Sequence, residues 1–269
     1  MPIKLTAENY YSQDADRDYM SVSQLKGFMQ CEAQAMAKLN GWEQADKKAL
    51  LMGNFLHSYF ESPEAHRAFK DAHPEILTKR EPRHLLKEFS TAQAMTNRLD
   101  KDPDFHALYD PGDKEVIVTG KLADVDWMGK LDCITPAKQD VFDLKTTADI
   151  HKRIWIPDDV HGHYGGFVEA YGYDMQMAVY QELTRQTFGI SPEMHIIAVS
   201  KQTPCDIAGI DIQQSDLDAA LGRVLDYIPT VLAVKAGARE PERCEQCEYC
   251  RETKTLQSSW GLDAYKLID

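Results

Sequence analysis

The sequence predicts an α/β fold, a small mixed β-sheet flanked by helices, with a mainly helical region in front of it. Three observations predict it. Residues 1–110 carry helix-spaced apolar positions interrupted by prolines at 63, 74, 82 and 103. At Lys114 the texture changes to β-branched alternation, Lys114-Glu-Val-Ile-Val-Thr119, the pattern of a half-buried strand. Beyond it, strand-like and helix-like segments interleave as far as residue 236, as they do when helices cover a sheet. At 269 residues the chain has the length of one large domain or two small ones. We read residues 1–269 as a single domain: 1–110 mainly helical, 111–236 an αβ core, and 237–269 a cysteine-rich C-terminal segment.

Taken in order, residues 1–20 are polar, carry three tyrosines and read as an irregular lead-in. Ser21-Val-Ser-Gln24 fits a capping box, and apolar residues at Val22, Leu25, Phe28, Met29, Met36 and Leu39 predict one helix ending at Asn40-Gly41, with Cys31 inside it. A second helix is expected over 47–61. On it Gly53, His57 and Glu61 recur every four residues and share a face; glycine there would let another backbone approach, and His57 is either a partly buried histidine paired with Glu61 or, with that carboxylate, the edge of a metal site. A helix over 83–99 follows. After the strand at 114–119 the chain continues as a strand or hairpin toward Trp127. Two strands, 129–135 and 141–145, join through a turn near Pro136. A short helix is expected over 147–154, then a loop over 157–166 containing His161 and His163. A long helix follows over 167–188, capped by Gly189. Strands at 193–200 and 206–212 and a helix over 215–235, with a kink expected at Pro229, complete the pattern.

Composition narrows the function. The chain is 43% apolar and 27% charged, ordinary for a globular protein, with a formal net charge of −13. That balance argues against broad, non-specific nucleic-acid binding but not against an enzyme that gathers carboxylates around a cation. The basic stretch Lys79-Arg80-Glu-Pro-Arg83-His84-Leu-Leu-Lys87 is a candidate phosphate track or a solvated surface. No apolar run reaches the ~20 residues of a membrane span, and residues 1–8 lack the apolar centre of a secretion signal; we expect a cytoplasmic protein.

The chemistry concentrates in 129–147. Side chains alternate along a strand, so Asp143 and Lys145 point one way while Phe142 and Leu144 point into the core, and Asp132 on the neighbouring strand can join the polar side. Two carboxylates suit a hard, oxygen-seeking cation. An ammonium beside them can stabilise charge building on a phosphoryl group. A surface hairpin with ordinary charges is the plain alternative for Asp-x-Lys alone.

Four motifs shift that balance together. They are Gly53-x-x-x-His57-x-x-x-Glu61, Gly129-Lys-Leu-Asp132, Asp143-Leu-Lys145 followed by threonines, and Gln176-x-x-x-Tyr180. In this order they resemble the PD-(D/E)xK nuclease superfamily, RecB-type branch. The lead Tyr10-Tyr11 and Ser21-Val-Ser-Gln-Leu-Lys26 is most similar to phage and prophage RecE-like exonucleases of the exonuclease VIII type, over roughly residues 8–254. The resemblance implies that His57, Asp132 and Asp143, with the Leu144 carbonyl, hold Mg²⁺ or Mn²⁺. It implies that Lys145 is the catalytic lysine, that Gln176 and Tyr180 position DNA, and that Glu61 stands behind the ligands. It further implies 5′→3′ digestion of linear double-stranded DNA to leave 3′ tails for recombination, a homo-oligomer, and a single-strand annealing partner.

Six cysteines, in a chain without an evident secretion signal, do not suggest a disulfide framework. Cys244, Cys247 and Cys250 form a C-x2-C-x2-C run that points to metal. A resemblance to RecB-type nucleases in which an early cysteine joins three C-terminal ones implies that Cys31 completes a [4Fe–4S] cluster; zinc is the alternative. Cys133 and Cys205 are expected to be packing residues. Two other readings stand beside the exonuclease: an iron–sulfur single-strand nuclease of the CRISPR-adaptation type, and a catalytically idle DNA- or partner-binding module on the same fold.

Overall fold

The computed structural model describes residues 2–45, 48–80, 83–157 and 162–256, apart from the side chain of Glu88. Seven helices come first: α1 (Gln13–Asp18), α2 (Val22–Gln30), α3 (Glu32–Leu39), α4 (Lys48–Glu61), α5 (Pro63–Ala72), α6 (Ser90–Leu99) and α7 (Pro103–Tyr109). Then come β1 (Asp113–Leu122), β2 (Val125–Ile134), β3 (Asp140–Thr147), β4 (Ile154–Ile156), β5 (His163–Gly165), α8 (Phe167–Ala170), α9 (Tyr173–Phe188), β6 (Glu193–Ser200), β7 (Ile207–Ile212), α10 (Gln214–Lys235) and α11 (Glu248–Glu252). The main sheet has the order β1-β2-β3-β6-β7, with β3 and β6 parallel and the other neighbours antiparallel. β4 and β5 form a separate two-stranded ribbon.

Two apolar layers enclose the sheet. On one side Leu25 and Phe28 of α2, Met177 and Leu183 of α9, and Val224 and Ile228 of α10 pack with Val118, Leu131, Val141 and Ile196. On the other, Phe55 and Leu56 of α4, Met95 and Leu99 of α6, and Phe105 of α7 pack with Phe142, Leu144, Ile197 and Val199. Phe142 and Leu144 are core residues as their alternation requires. Cys133 is fully buried in the second layer and Cys205 packs against it.

The hairpin β1-β2 turns at Ala123 and Asp124, both with positive φ, 49° and 62°. Two left-handed residues give the turn whose twist matches antiparallel strands. The next junction sets up the site: β2 and β3 pair only at Cys133–Phe142 and Ile134–Val141. Beyond those pairs the strands part, leaving a fork between Asp132 and Leu144.

Several expectations are corrected. The lead-in contains α1, whose Ala15 packs with Tyr10, Tyr19 and Met128. The helix expected over 21–39 is two helices, broken at Cys31, whose backbone is extended (φ −165°, ψ 106°). The helix expected over 83–99 begins as a 3₁₀ turn at Lys87–Phe89 and becomes α-helical only at Ser90. No helix occupies 147–154: β3 runs to Thr147 and β4 starts at Ile154. The segment read as a loop over 157–166 contains β5, while His161 lies outside the described residues. The long helix expected over 167–188 breaks at Gly172, where φ is +62°. Of the basic stretch, Glu81 and Pro82 lie outside the described residues, and Thr78 bonds to His84 on either side of them.

Candidate active site and cysteine cluster

The fork between β2 and β3 gathers the motif residues. Asp132 projects into it and accepts the Leu144 N–H at 2.8 Å through Oδ2. A carboxylate thus replaces the strand carbonyl that would otherwise pair with that amide. An extended residue presents its N–H and C=O to the same side, so the Leu144 carbonyl is aimed toward the fork as well. His57, from α4, stands with Nδ1 3.3 Å from the same Asp132 oxygen. Asp143 is 1% exposed, and its Oδ2 forms an ion pair with Lys145. Its Oδ1 accepts Gln176 Nε2 from α9 at 3.1 Å. The structure therefore brings His57, Asp132, Asp143, Lys145 and Gln176 to one place, as two linked groups: His57–Asp132–Leu144, and Lys145–Asp143–Gln176.

Tyr180 is half-buried beside Gln176, its hydroxyl pushed well above the ordinary phenol range by desolvation. It explains Gly129: a Cβ there would sit 2.9 Å from the Tyr180 ring. The same test corrects the reading of Gly53, where a Cβ would meet nothing within 4 Å; among the described residues no other backbone approaches it closely. Glu61 lies behind His57, half-exposed, its carboxyl raised by burial and by the Glu115 charge.

Burial sharpens the electrostatics. Asp143 is raised to about 6, chiefly because it is desolvated, with the Asp132 charge adding to the rise and Lys145 opposing it. Burial would raise Asp132 too, but His57, Lys145 and the Leu144 amide outweigh it and hold the carboxyl below its usual range. Burial would lower His57 and Lys145; the carboxylates outweigh it and raise both.

Three groups were not found from the sequence. Glu115 is the first. Its carboxylate oxygen, an Asp132 oxygen and a His57 ring nitrogen lie within 4.8 Å of one another. Its backbone is left-handed, φ 55°, near the start of β1, and the ladder, in register at Lys114–Cys133 and Val116–Leu131, lapses opposite Asp132. Such conformations are strained for a residue with a side chain. The hairpin register was the available signal: once the turn falls at Ala123-Asp124, Glu115 lies across from Asp132. Lys130 is the second; it pairs with Glu115 and its ammonium lies 4.4 Å from the Tyr11 ring centroid. Lys26 is the third, donating to the Tyr171 carbonyl at 2.8 Å and lying over Tyr173, whose ring also faces Lys145. Burial and the Lys145 charge lower Lys26 to about 8.

The donor set fits a hard divalent cation. His57, Glu115 and Asp132 offer ligand atoms within 4.8 Å of one another, Asp143 and the Leu144 carbonyl adjoin them on β3, and oxygen donors of this kind suit Mg²⁺ or Mn²⁺.

A second cluster lies away from the fork. Cys31, Cys244, Cys247 and Cys250 place their four sulfurs within 4.8 Å of one another. Cys31 reaches Cys250 at 3.6 Å and Cys247 at 3.7 Å. The pairing of Cys31 with the C-terminal run is as expected, and the spacing of the sulfurs bears on which metal they take. A cubane carries each thiolate on a different iron outside a metal–sulfide core, which spreads the sulfurs well beyond this spacing.

Comparison with known proteins agrees with this architecture. The family model described as "PDDEXK-like domain of unknown function (DUF3799)" matches residues 21–253. A crystal structure from Eubacterium rectale, described as a "Putative exonuclease", superposes with a TM-score of 0.89 at 38% identity, covering 98% of each chain. The structure of SSO0001 aligns at a TM-score of 0.35 and 11% identity, over 88% of this chain and 96% of that one, too distant to bear on the site. None of the curated proteins matches the chain.

Proposed function

The chain belongs to this PDDEXK-like family, and from that premise we propose that it is a divalent-metal-dependent DNA exonuclease, digesting linear double-stranded DNA from the 5′ end to leave 3′ tails. The observation that carries the reading is the convergence of His57, Asp132, Asp143, Lys145 and Gln176 at one buried fork.

In this reading His57, Asp132, Asp143 and the Leu144 carbonyl hold the cation, with Glu115 as an added carboxylate. A divalent cation supplies Lewis acidity toward a phosphodiester and makes a nearby water a better nucleophile. The chain's own groups do the rest. Lys145, charged and aimed by Asp143, donates to the phosphoryl oxygens as charge builds on them. Gln176 fixes the other Asp143 oxygen, so the carboxylate cannot rotate away from the lysine. Tyr180 backs Gln176, and Glu61 backs His57.

Basic and aromatic side chains beside the fork and on the β4-β5 ribbon are of the kind that suit nucleic acid. Lys26 and Tyr173 stand beside Lys145. The β4-β5 ribbon, which leads into α8, presents Trp155 and Tyr164 half-exposed and in edge contact at 5.1 Å, with Arg153 over the Tyr164 ring. Aromatic faces with cations between them hold single strands by stacking and charge. The resemblance to RecE-like exonucleases extends the proposal to a homo-oligomer and a single-strand annealing partner.

The test is digestion of linear duplex labelled separately at each 5′ and 3′ end, with Mg²⁺, beside a circular duplex and a single strand. The reading expects early loss of the 5′ label and an intact circle. Cleavage of the circle would make the enzyme an endonuclease. Digestion of the single strand alone would favour the single-strand reading.

A further inference from the structure

The cysteine cluster carries an inference separate from nuclease activity. We propose that Cys31, Cys244, Cys247 and Cys250 form a closed, mononuclear structural zinc site. Its function is to clamp the C-terminal segment onto the junction of α2 and α3.

Sulfur spacing is the first argument. Four thiolates bonded to one zinc at about 2.3 Å form a tetrahedron with edges of about 3.8 Å. The Cys31 sulfur lies 3.6 Å from that of Cys250 and 3.7 Å from that of Cys247, and all four sulfurs fall within 4.8 Å of one another. All six cysteines are free thiols, so no disulfide accounts for the approach.

Local backbone is the second. Between Cys244 and Cys247 the chain turns tightly through Glu245 at φ 60°. The turn delivers the Cys247 N–H to Cys244 Sγ at 3.3 Å, and α11 delivers the Cys250 N–H to Cys247 Sγ at 3.4 Å. Amides aimed at sulfur favour thiolate, the form that binds metal. From the other side, the break at Cys31 that the helical pattern does not predict turns its sulfur to the cluster. It is also why Ala33 N–H reaches across to the Glu242 carbonyl at 3.0 Å.

The third argument is what else could hold this segment. The apolar cluster here consists of Ala33 and the cysteines, with Tyr249 at its edge. α11 has five residues, too short to be stable alone. Polar ties surround the sulfurs without replacing them: Arg239 pairs with Glu32, Trp42 Nε1 donates to Glu252 at 2.9 Å, and the Trp42 and Tyr249 rings meet edge-on at 5.5 Å. Binding displaces the thiol protons: one Zn²⁺ and four thiols give a tetrathiolate site and four released protons. All four positions are then protein sulfur, leaving no open position for chemistry. The clamp bears on the fork indirectly, because α2 also carries Lys26 to Tyr171 and Tyr173.

The test is the metal content of the full chain, produced in medium containing both iron and zinc and purified without oxygen. We expect one zinc per chain, no acid-labile sulfide, and no visible absorption. Exchange with Co²⁺ should give the intense visible bands of tetrahedral cobalt thiolate. The zinc should persist in His57→Ala and be lost in Cys31→Ala. Iron with stoichiometric sulfide would overturn the proposal. So would retention of the zinc in Cys31→Ala together with its loss in His57→Ala, which would place it at the fork. A metal-free protein that takes up no Co²⁺ would overturn it as well.

Discussion

The fork and the cysteine cluster each gather metal-binding side chains, but they do it in opposite ways. At the fork every buried charge already has a counter-charge. Asp143 has Lys145, Asp132 has His57, and Glu115 has Lys130. The site is therefore compatible with a folded chain before any cation arrives, and a cation entering it competes with internal partners. At the cysteines the sulfurs meet one another, the Cys247 and Cys250 amides and the Glu242 carbonyl, and the nearby cation, Arg243, is paired with Glu245. A pre-neutralised site suits a metal that comes and goes with substrate. Four sulfurs whose nearby cation is already paired elsewhere suit a metal that is part of the fold.

The largest effects that would break this contrast concern activity at the fork. Asp143→Asn and Lys145→Ala should each lower DNA hydrolysis by about 10²–10³-fold, the usual cost of losing one preorganised donor, while the protein still melts cooperatively by calorimetry. Unfolding of both variants would mean that the fork, too, is structural.

Next comes zinc. Cys247→Ser should lower the melting temperature and expose residues beyond 236 to protease, with each lost kcal/mol worth about 2–4 °C in a chain of this size. An unchanged melting curve would remove the clamp.

A smaller effect separates two glycines. Gly129→Ala should cost about 1–3 kcal/mol by forcing the Tyr180 ring aside. Gly53→Ala, in open space within α4, should stabilise by about 0.5–1 kcal/mol through helix propensity. Denaturant titration checks both, and equal losses would refute the account of the Gly-x-x-Asp motif.

Glu115→Gln should weaken Mn²⁺ binding by about tenfold, measured by electron paramagnetic resonance. An unchanged affinity would reduce Glu115 to a partner for Lys130.

The smallest expected effect is on pH dependence. With Asp143 raised to about 6, proton and cation compete for it, so Mn²⁺ affinity should fall as pH drops below 6 and level off above it. In the metal-free chain the sign for stability is opposite. A carboxyl raised on folding costs stability above its folded pKa, and that cost is relieved as pH falls toward the unfolded value. Asp143→Asn should flatten both trends.

Most strands were legible in the sequence because 114–119, 141–145 and 193–200 are short runs rich in β-branched and apolar residues, the composition of strands covered on both faces. The relation among Asp132, Asp143 and Lys145 was legible because side chains alternate along a strand. What escaped depends on contacts distant in sequence. The apolar spacing runs straight through Cys31, and only the C-terminal cysteines, more than two hundred residues later, explain the break. Glu115 reads as one charge in an alternating strand until the register with Asp132 is known. Gly172 sits in a helical pattern, yet its left-handed backbone turns α8 away from α9. The spacing of sulfurs, which separates one zinc from four irons, is a three-dimensional quantity that a motif does not contain.

The measurement that tests the central claim most directly pairs catalysis with metal binding in one variant. Wild type and Asp143→Asn, both shown to be folded and to carry one zinc, are given 5′-labelled linear duplex and titrated with Mn²⁺. The account predicts release of label by wild type alone and weaker Mn²⁺ binding by the variant, with zinc unchanged in both. Equal release by the two proteins, or none by a folded, zinc-loaded wild type, would contradict it.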